Sequence, residues 1–362
     1  MKLHILFIGD TFIYNDAFSE YILRNIRKRF HTFDSLKFLK KSDNSLFLEL
    51  EESLHTENNI IIVSTKQNFS TVGKVISTVT GDNQVLQNGM LVPSQVVAFH
   101  ERTYLLHYKH ATVNVIQIDE AQKMPQLLLE HTNIEKCVHV FEEDKATLEN
   151  ILQPIAQTYN VYFTLTKIVD GWLRVAIHSS KYGEIDNFIQ AAKNLLPKKL
   201  IATSNMIEYI IELLAKKSKK VTFAESCTGG LLSYLFTKHN GASQILDGSL
   251  VTYSNSLKEN WLAVSEEVLE AHGAVSAEVV EEMSEGALSV SHADYAMAIS
   301  GIAGESGGTE QKPVGTVYIG VRTQNDHKEE HCFFEGDRNY IQEQSAYYAV
   351  KMMILLDKET FF

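Results

Sequence analysis

The heptapeptide AESCTGG, residues 224–230, places two nucleophilic side chains next to each other where an apolar strand gives way to a helix. Ser226 offers a hydroxyl group and Cys227 a thiol. Free N–H groups in the first turn of a helix can hold an oxyanion or a phosphate. The residues of the turn that would face such an anion are Cys227, Thr228, Gly229 and Gly230. A plain capping turn is the competing interpretation, because capping Ser and Thr residues are far commoner than catalytic ones.

A serine hydroxyl needs a base before it can attack, and the segment VTYSNSLKENWL, residues 251–262, offers one. Lys258 could lose its proton if it is partly buried beside Ser226, and Tyr253 could relay or steady that proton. Asn255 lies between them as a candidate substrate contact. Taken singly, Tyr253 also fits a half-buried strand aromatic and Lys258 a solvated helix residue. Cys227 is the weaker candidate nucleophile, because no histidine nearby in sequence would lower its pKa.

A glycine-rich loop, SGIAGESGG, follows an apolar strand at residues 300–308. Such loops expose backbone N–H groups to anions, and no GK[ST] follows, so this is not a Walker loop. Arg338 lies at a predicted loop-to-helix junction, where it could bind a phosphate or remain a surface arginine. The candidate substrate contacts in this region are Gly301, Ile302, Gly304 and Arg338.

The pattern of predicted strands and helices that must position these residues indicates a multidomain α/β protein. Alternating strands and helices predict a parallel α/β domain over residues 1–136, with a helix at residues 120–130. A β-α-β-β-α pattern predicts a small α+β connecting module over residues 137–198, followed by a linker at 197–205. Residues 205–362 predict a compact α/β/α domain that contains all the candidate site residues.

The composition restricts the class of partner. The chain has 362 residues, 44% of them hydrophobic, and a net charge of −12, which argues against nucleic acid as a partner. Three cysteines without a CxxC motif suggest neither disulfides nor a zinc site, and three histidines at positions 100–110 match no zinc spacing, so no metal is predicted. The N-terminus reads as a core strand and no apolar run is long enough to span a membrane, so we expect a cytoplasmic protein.

Five segments in order resemble one known family. They are VTFAESCTGGLLSYLF, GSLVTYSNSLKENWLAV, HGAVSAEVVEEMSEGA, ISGIAGESGGTEQKPVGTVYIGV and FEGDR. Together they resemble the C-terminal domain of the CinA family, the nicotinamide-nucleotide amidohydrolases, over roughly residues 205–355. Two departures are visible: Ser300 stands where threonine usually precedes GIAG, and Glu305-Ser306 stands where the family usually has Pro-Asp.

The resemblance implies an activity and assigns roles. The family hydrolyses the carboxamide of nicotinamide mononucleotide to nicotinate mononucleotide and ammonia. Carried over to this chain, the resemblance makes Ser226 the nucleophile and Tyr253 and Lys258 its catalytic partners. It implies no cofactor and no metal. It also implies that the protein is a homodimer and that its binding partner is a small-molecule substrate, nicotinamide mononucleotide.

The N-terminal domain resembles the molybdopterin-binding-like domain of the same family, which in some members hydrolyses ADP-ribose. Here Ser64-Thr65-Lys66 replaces the TGG of the family's phosphate loop, and the acids that follow that loop are missing. Asp10 alone is not enough to bind a metal. We therefore expect the fold without the pyrophosphatase activity. A nucleotide-binding or scaffold protein of the competence/damage-inducible type is the main alternative to the amidohydrolase.

Overall fold

The computed structural model describes residues 2–30, 32–40, 45–55, 58–130, 135–179, 182–304 and 306–362. The chain divides into two compact units, Met1–Thr132 and Asn133–Phe362. The described part is a mixed α/β protein with separate sheets, as the sequence predicts. Along the described residues, none of the helices combines the length and the apolar character needed to cross a bilayer.

The first unit is built around a mainly parallel sheet. Its strands are β1 (Lys2–Ile8), β2 (Ser35–Leu39), β3 (Asn58–Ser64), β4 (Gln84–Gln87), β5 (Met90–Pro93), β6 (Val96–His100), β7 (Thr103–Tyr108) and β8 (Ala111–Gln117). Its helices are α1 (Asp10–Tyr14), α2 (Asp16–Phe30), α3 (Leu46–Leu54) and α4 (Lys66–Thr80). The sheet has the order β2-β1-β3-β8-β7-β6, and β4 and β5 form a separate hairpin. Strands β1, β2, β3 and β8 run parallel, whereas β7 and β6 are antiparallel additions at one edge.

Both faces of this sheet are covered, which explains the continuous apolar runs in its strands. Along β1, Leu6 and Ile8 face one core with α3 and α4, whereas Ile5 and Phe7 face a second core with α2. The alternation follows the two-residue period of a strand. The unit is therefore a three-layer α/β structure.

The predicted helix at residues 120–130 is wrong. The segment is irregular, with Pro125, Leu127 and Leu129 buried at every second position. Proline has no N–H group to donate, and the N–H groups of Leu128 and Leu129 donate to Asn114 Oδ1 at 2.8 and 3.4 Å. A tertiary hydrogen bond to a buried asparagine replaces the helical ones in this segment.

The second unit begins with the predicted β-α-β-β-α module. Its elements are β9 (Glu135–Phe141), α5 (Lys145–Thr158), β10 (Val161–Val169), β11 (Trp172–Ser179), α6 (Ile185–Leu195) and β12 (Leu200–Ile201). The antiparallel sheet has the order β10-β11-β9-β12. The expected linker at 197–205 is thus partly a strand, because Leu200 and Ile201 are buried and pair with β9.

The rest of the second unit is a three-layer α/β/α domain. Its strands are β13 (Val221–Glu225), β14 (Leu246–Val251), β15 (Tyr295–Gly301), β16 (Thr316–Thr323) and β17 (His327–Phe333). Its helices are α7 (Met206–Lys216), α8 (Leu231–Thr237), α9 (Asn255–Leu262), α10 (Glu266–His272), α11 (Ala277–Ser291), α12 (Arg338–Leu356) and α13 (Lys358–Phe361), with a 3₁₀ turn at Ala242–Gln244. The strand order is β14-β13-β15-β16-β17.

The direction of the strands gathers the candidate residues at one edge. Strand β13 runs parallel to both β14 and β15, whereas β16 and β17 are antiparallel. The carboxyl ends of parallel strands meet at the same edge of a sheet, which is where α/β proteins bind ligands. That edge carries Ser226 after β13, Tyr253 after β14 and Gly301 at the end of β15.

Candidate active site

Ser226 lies directly after β13 in a turn that its neighbours hold on both sides. Its N–H group donates to Ile299 O at 2.9 Å, and its carbonyl accepts from Gly229 N at 3.1 Å. Gly229 and Gly230 have φ of +60° and +102°, a region that glycine enters without a steric penalty. The turn places the Ser226 side chain, 8% exposed, at the edge of the sheet.

The first turn of α8 is not open to an anion in the way the sequence suggests. The fully buried Glu225 carboxylate accepts hydrogen bonds from the N–H groups of Gly230, Leu232 and Ser233 at 3.0, 3.0 and 2.8 Å. A carboxylate at this position satisfies the free donors and the helix dipole. The N–H groups of Gly229 and Gly230 are therefore occupied, which corrects the expectation that they face substrate. Sequence reasoning missed this role of Glu225, although an acidic residue just before a helix start is its signal.

Two donors of the turn remain. Among the described residues, no acceptor is found for the backbone N–H groups of Cys227 and Thr228. The Thr228 hydroxyl is buried and also has no partner within the described part of the chain. The N–H group after a nucleophilic serine is a frequent oxyanion donor. Cys227 N–H and Thr228 N–H are thus the donors that can stabilise negative charge beside Ser226.

Lys258 reaches Ser226 from the first turns of α9. The side chain of Ser254 caps this helix by accepting from Leu257 N at 3.3 Å, which fixes where the helix begins. Lys258 Nζ lies 3.1 Å from Ser226 Oγ and donates to Thr252 O at 2.8 Å. The side chain is 1% exposed, and this burial lowers the pKa of Lys258 below that of an ordinary lysine. The structure therefore brings together the predicted hydroxyl and the predicted base.

Cys227 lies beside the pair but in an environment that keeps its thiol protonated. It is 5% exposed, and burial raises the pKa of the Cys227 thiol to about 12. The thiolate, not the thiol, is the nucleophilic form of cysteine. Ser226 is consequently the better placed nucleophile of the two.

Tyr253 and Arg338 form a second pair at the same edge. The Arg338 guanidinium donates to the Tyr253 hydroxyl at 3.1 Å, and Tyr253 is 61% exposed. A side chain at Gly304 would place its Cβ 3.0 Å from Arg338 Nη1, so the glycine leaves room for the guanidinium. The pair presents a phenol and a cation to solvent close to the nucleophile. Among the described residues, no hydrogen bond joins Tyr253 to Ser226 or Lys258.

The other predicted substrate contacts differ in whether they are free to bind a substrate. Gly301 ends β15 and pairs with Val317, and Ile302 N–H donates to Thr316 O at 2.9 Å. The Ile302 N–H group is therefore occupied by strand pairing. Asn255, the first residue of α9, is exposed to solvent. Glu305 lies outside the described residues.

Gln342 is a neighbour of the nucleophile that the sequence reasoning missed. Its Nε2 donates to Cys227 O at 2.7 Å from the second turn of α12. The only sequence signal is its spacing of four residues from Arg338, which places both side chains on one face of a helix.

A separate cavity lies in the first unit, at the carboxyl ends of β1, β3 and β8. It has a volume of about 250 Å³ and is lined by Asp10, Thr11, Thr65, Gln67, Asn68, Asp119 and Glu120. These lining residues include three carboxylates and no lysine or arginine. Within the described ranges, no group of three or more His, Cys, Asp or Glu side chains could hold a metal ion.

The fold and the site together define a class of protein. A three-layer α/β domain with a buried Ser–Lys pair and two unpaired backbone donors can carry out acyl transfer by serine attack. A family model described as the CinA C-terminal domain matches residues 203–356. The CinA-like protein of Petrotoga mobilis is 30% identical over 292 residues, which cover 78% of this chain and 72% of that protein. The chain belongs to the CinA family.

Two further relatives show how much of the chain is covered. The CinA-like protein of Thermotoga maritima is 39% identical over 212 residues, which are 57% of this chain and only 52% of that protein. The competence/damage inducible protein CihA from Agrobacterium tumefaciens, a solved structure, is 35% identical with a TM-score of 0.41. That match covers 42% of this chain and 93% of that chain. This chain thus matches about half the length of the Thermotoga relative.

Proposed function

We propose that the C-terminal domain hydrolyses the carboxamide of nicotinamide mononucleotide to nicotinate mononucleotide and ammonia. The observation that carries the proposal is the 3.1 Å contact between Lys258 Nζ and Ser226 Oγ. A lysine whose pKa burial has lowered can accept the proton of a serine hydroxyl. The motif resemblance to nicotinamide-nucleotide amidohydrolases supports the choice of substrate.

The reaction proceeds in two stages, acylation of Ser226 with loss of ammonia and then hydrolysis of the acyl ester. Ser226 Oγ attacks the amide carbon while its proton passes to neutral Lys258, and the carbonyl oxygen becomes an oxyanion. Lys258 then gives the proton to the amide nitrogen, the C–N bond breaks, and ammonia leaves an acyl ester on Ser226. Water attacks the ester with Lys258 as base, which releases the carboxylic acid and restores the serine.

Cys227 N–H and Thr228 N–H stabilise the oxyanion in this mechanism. Donors that are fixed in place before the reaction act without reorganisation, and one such donor typically contributes about 3–4 kcal/mol. Hydrogen bonds to Ile299 O and to the Glu225 carboxylate hold the two ends of the turn. No metal takes part in any of these steps.

Tyr253 and Arg338 bind the nucleotide part of the substrate. Arginine suits a phosphate because its planar group donates two hydrogen bonds to one anion. The hydrogen bond from Arg338 to the Tyr253 hydroxyl holds the two exposed side chains together. The proposal gives Tyr253 a role in substrate binding, because its hydroxyl accepts a hydrogen bond from Arg338, in place of the catalytic role that the family resemblance implies.

The test is ammonia release from nicotinamide mononucleotide by the purified full chain in the presence of a metal chelator. Wild-type protein should release one ammonia for each nicotinate mononucleotide formed. Lys258→Met keeps a long apolar side chain without a base, so it should lose activity by about 10²-fold or more. A Lys238→Met variant makes the same substitution at the exposed residue that follows α8, so it serves as the control and should retain wild-type turnover. Wild-type protein that releases no ammonia would refute the proposed function.

A further inference from the structure

We infer that Gln342 is a positioning residue that orients the peptide plane between Cys227 and Thr228 for oxyanion binding. This inference rests on the proposed function, because it concerns the same nucleophile turn. Gln342 lies on α12, far from the nucleophile in sequence, and its amide is half-buried.

The peptide unit between Cys227 and Thr228 links the Gln342 contact to a candidate oxyanion donor. The Cys227 carbonyl and the Thr228 N–H group belong to one planar trans unit, so they point in opposite directions. Gln342 Nε2 donates to that carbonyl at 2.7 Å. A hydrogen bond on one side of the plane therefore fixes the direction of the N–H group on the other side.

Within the described part of the chain, no other contact fixes the 227–228 peptide plane. Among the described residues, neither Cys227 N–H nor Thr228 N–H has an acceptor, and no other donor to Cys227 O is found. The neighbouring peptide units are held instead by the hydrogen bonds from Gly229 N–H to Ser226 O at 3.1 Å and from Leu231 N–H to Thr228 O at 3.0 Å. Without Gln342 the 227–228 plane would be the one part of the turn free to rotate.

Helix α12 is itself held in place by contacts along its length. Arg338 and Gln342 are four residues apart on one face of the helix, where they contact Tyr253 and Cys227 respectively. Further along, Lys351 Nζ donates to Asp170 O at 3.0 Å in the turn between β10 and β11. The helix is thus a fixed support from which Gln342 reaches the turn.

Gln344 provides a matched control. It lies two residues away on the same helix, is also half-buried, and its Nε2 also donates to a backbone carbonyl, Ile168 O, at 3.2 Å. Gln344→Leu removes the same kind of hydrogen bond from α12 without touching the nucleophile turn. Any difference between Gln342→Leu and Gln344→Leu therefore reports on the turn and not on the helix.

The experiment measures kcat and KM for ammonia release from nicotinamide mononucleotide, together with the rate at which a fluorophosphonate probe labels Ser226. Gln342→Leu should lower kcat by about 10- to 100-fold with KM changed by less than about threefold, since an oxyanion donor is misaligned and not lost. Gln342→Glu cannot donate when it is ionised, so it should lower kcat as Gln342→Leu does. Gln342→Lys can donate, so it should have most of the wild-type kcat. Gln344→Leu should stay within about twofold of wild type in both assays.

The outcomes separate this inference from the proposed function. Active wild-type protein with Gln342→Leu and Gln344→Leu equal in kcat and in labelling rate would overturn the inference alone. Wild-type protein that is labelled at Ser226 but releases no ammonia would refute the proposed substrate. In that case, slower labelling of Gln342→Leu than of Gln344→Leu would support the role of Gln342, and equal labelling rates would overturn it. If wild-type protein shows neither reaction, both proposals are overturned.

Discussion

At the scale of single residues, Lys258 must be buried and yet able to lose its proton. Burial penalises the charged form, so the neutral amine needed for catalysis becomes more accessible. The contact with Thr252 O satisfies one N–H of the amine in either charge state. The same burial that activates the lysine therefore destabilises the folded protein wherever the lysine is charged.

This conflict gives a prediction about stability and pH. The folded pKa of Lys258 lies below its unfolded value, so between the two the unfolded chain binds more protons and wild-type stability rises with pH. Lys258→Met lacks the group. We therefore compare the free energies of unfolding of wild type and Lys258→Met. Their difference, wild type minus variant, should rise with pH between the folded and the unfolded pKa of Lys258 by at most about 1.4 kcal/mol per pH unit. Below the folded pKa the difference should be constant.

Urea unfolding of both proteins from about pH 6 to about pH 10 measures this difference. The comparison cancels the titration of all other groups, which the two proteins share. Wild-type turnover should increase with pH through the same folded pKa, because only the neutral amine acts as base. A stability difference that does not depend on pH anywhere in the range would show that burial does not perturb Lys258.

At the scale of elements, the position of Lys258 depends on how closely α11 approaches α9. Gly286 in α11 lies against the last residue of α9, and a Cβ there would be 1.9 Å from Leu262 O. Glycine inside a helix normally costs about 0.5–1 kcal/mol relative to alanine. Here the close approach of the two helices reverses that preference, since only glycine leaves room for the Leu262 carbonyl.

Gly286→Ala should therefore destabilise the protein by about 1–3 kcal/mol and should also lower turnover, because α9 must move with Lys258. Ser289→Ala, on the exposed side of the same helix, is the control and should leave stability and turnover nearly unchanged. Urea unfolding and ammonia release measure the two effects. A Gly286→Ala protein as stable as wild type would contradict the close packing of α9 and α11.

The same scale shows what the sequence could predict. The strand before Ser226 and the helix around Lys258 follow from apolar runs and the Ser254 cap, which are local signals. Glu225 and Gln342 could not be assigned, because their roles depend on which N–H and C=O groups lie opposite them after folding. The segment with Pro125 was predicted as a helix, since the tertiary acceptor Asn114 is not visible in a local window.

At the scale of the whole molecule, the connecting module and the C-terminal domain share one core. Phe141, Val169 and Trp172 of the module pack with residues of α7, α12 and α13, and Trp172 and Tyr347 meet edge to face at 6.0 Å. The domain boundary at residues 198–205 is therefore a change of sheet and not a break in packing. Composition and periodicity predicted the two sheets but not their common core, because core sharing is a property of the assembled chain.

The first unit has an α/β fold with a cavity at the carboxyl ends of β1, β3 and β8. Asp10, Asp119 and Glu120 place three carboxylates in the lining of that cavity, and no lysine or arginine lines it. The sequence indicated the loss of the phosphate loop, and it did not indicate that Asp119 and Glu120 would join Asp10. The chemistry proposed for this chain therefore rests on the second unit, with Ser226 as its nucleophile.

Turnover of nicotinamide mononucleotide by Ser226→Ala and Cys227→Ala, compared side by side with wild type, tests this central claim most directly. Ser226→Ala should reduce ammonia release by about 10³-fold or more, because the attacking oxygen is gone. Cys227→Ala should stay within roughly tenfold of wild type, since a buried thiol acts there as a small apolar group. Retained turnover in Ser226→Ala together with its loss in Cys227→Ala would contradict the account.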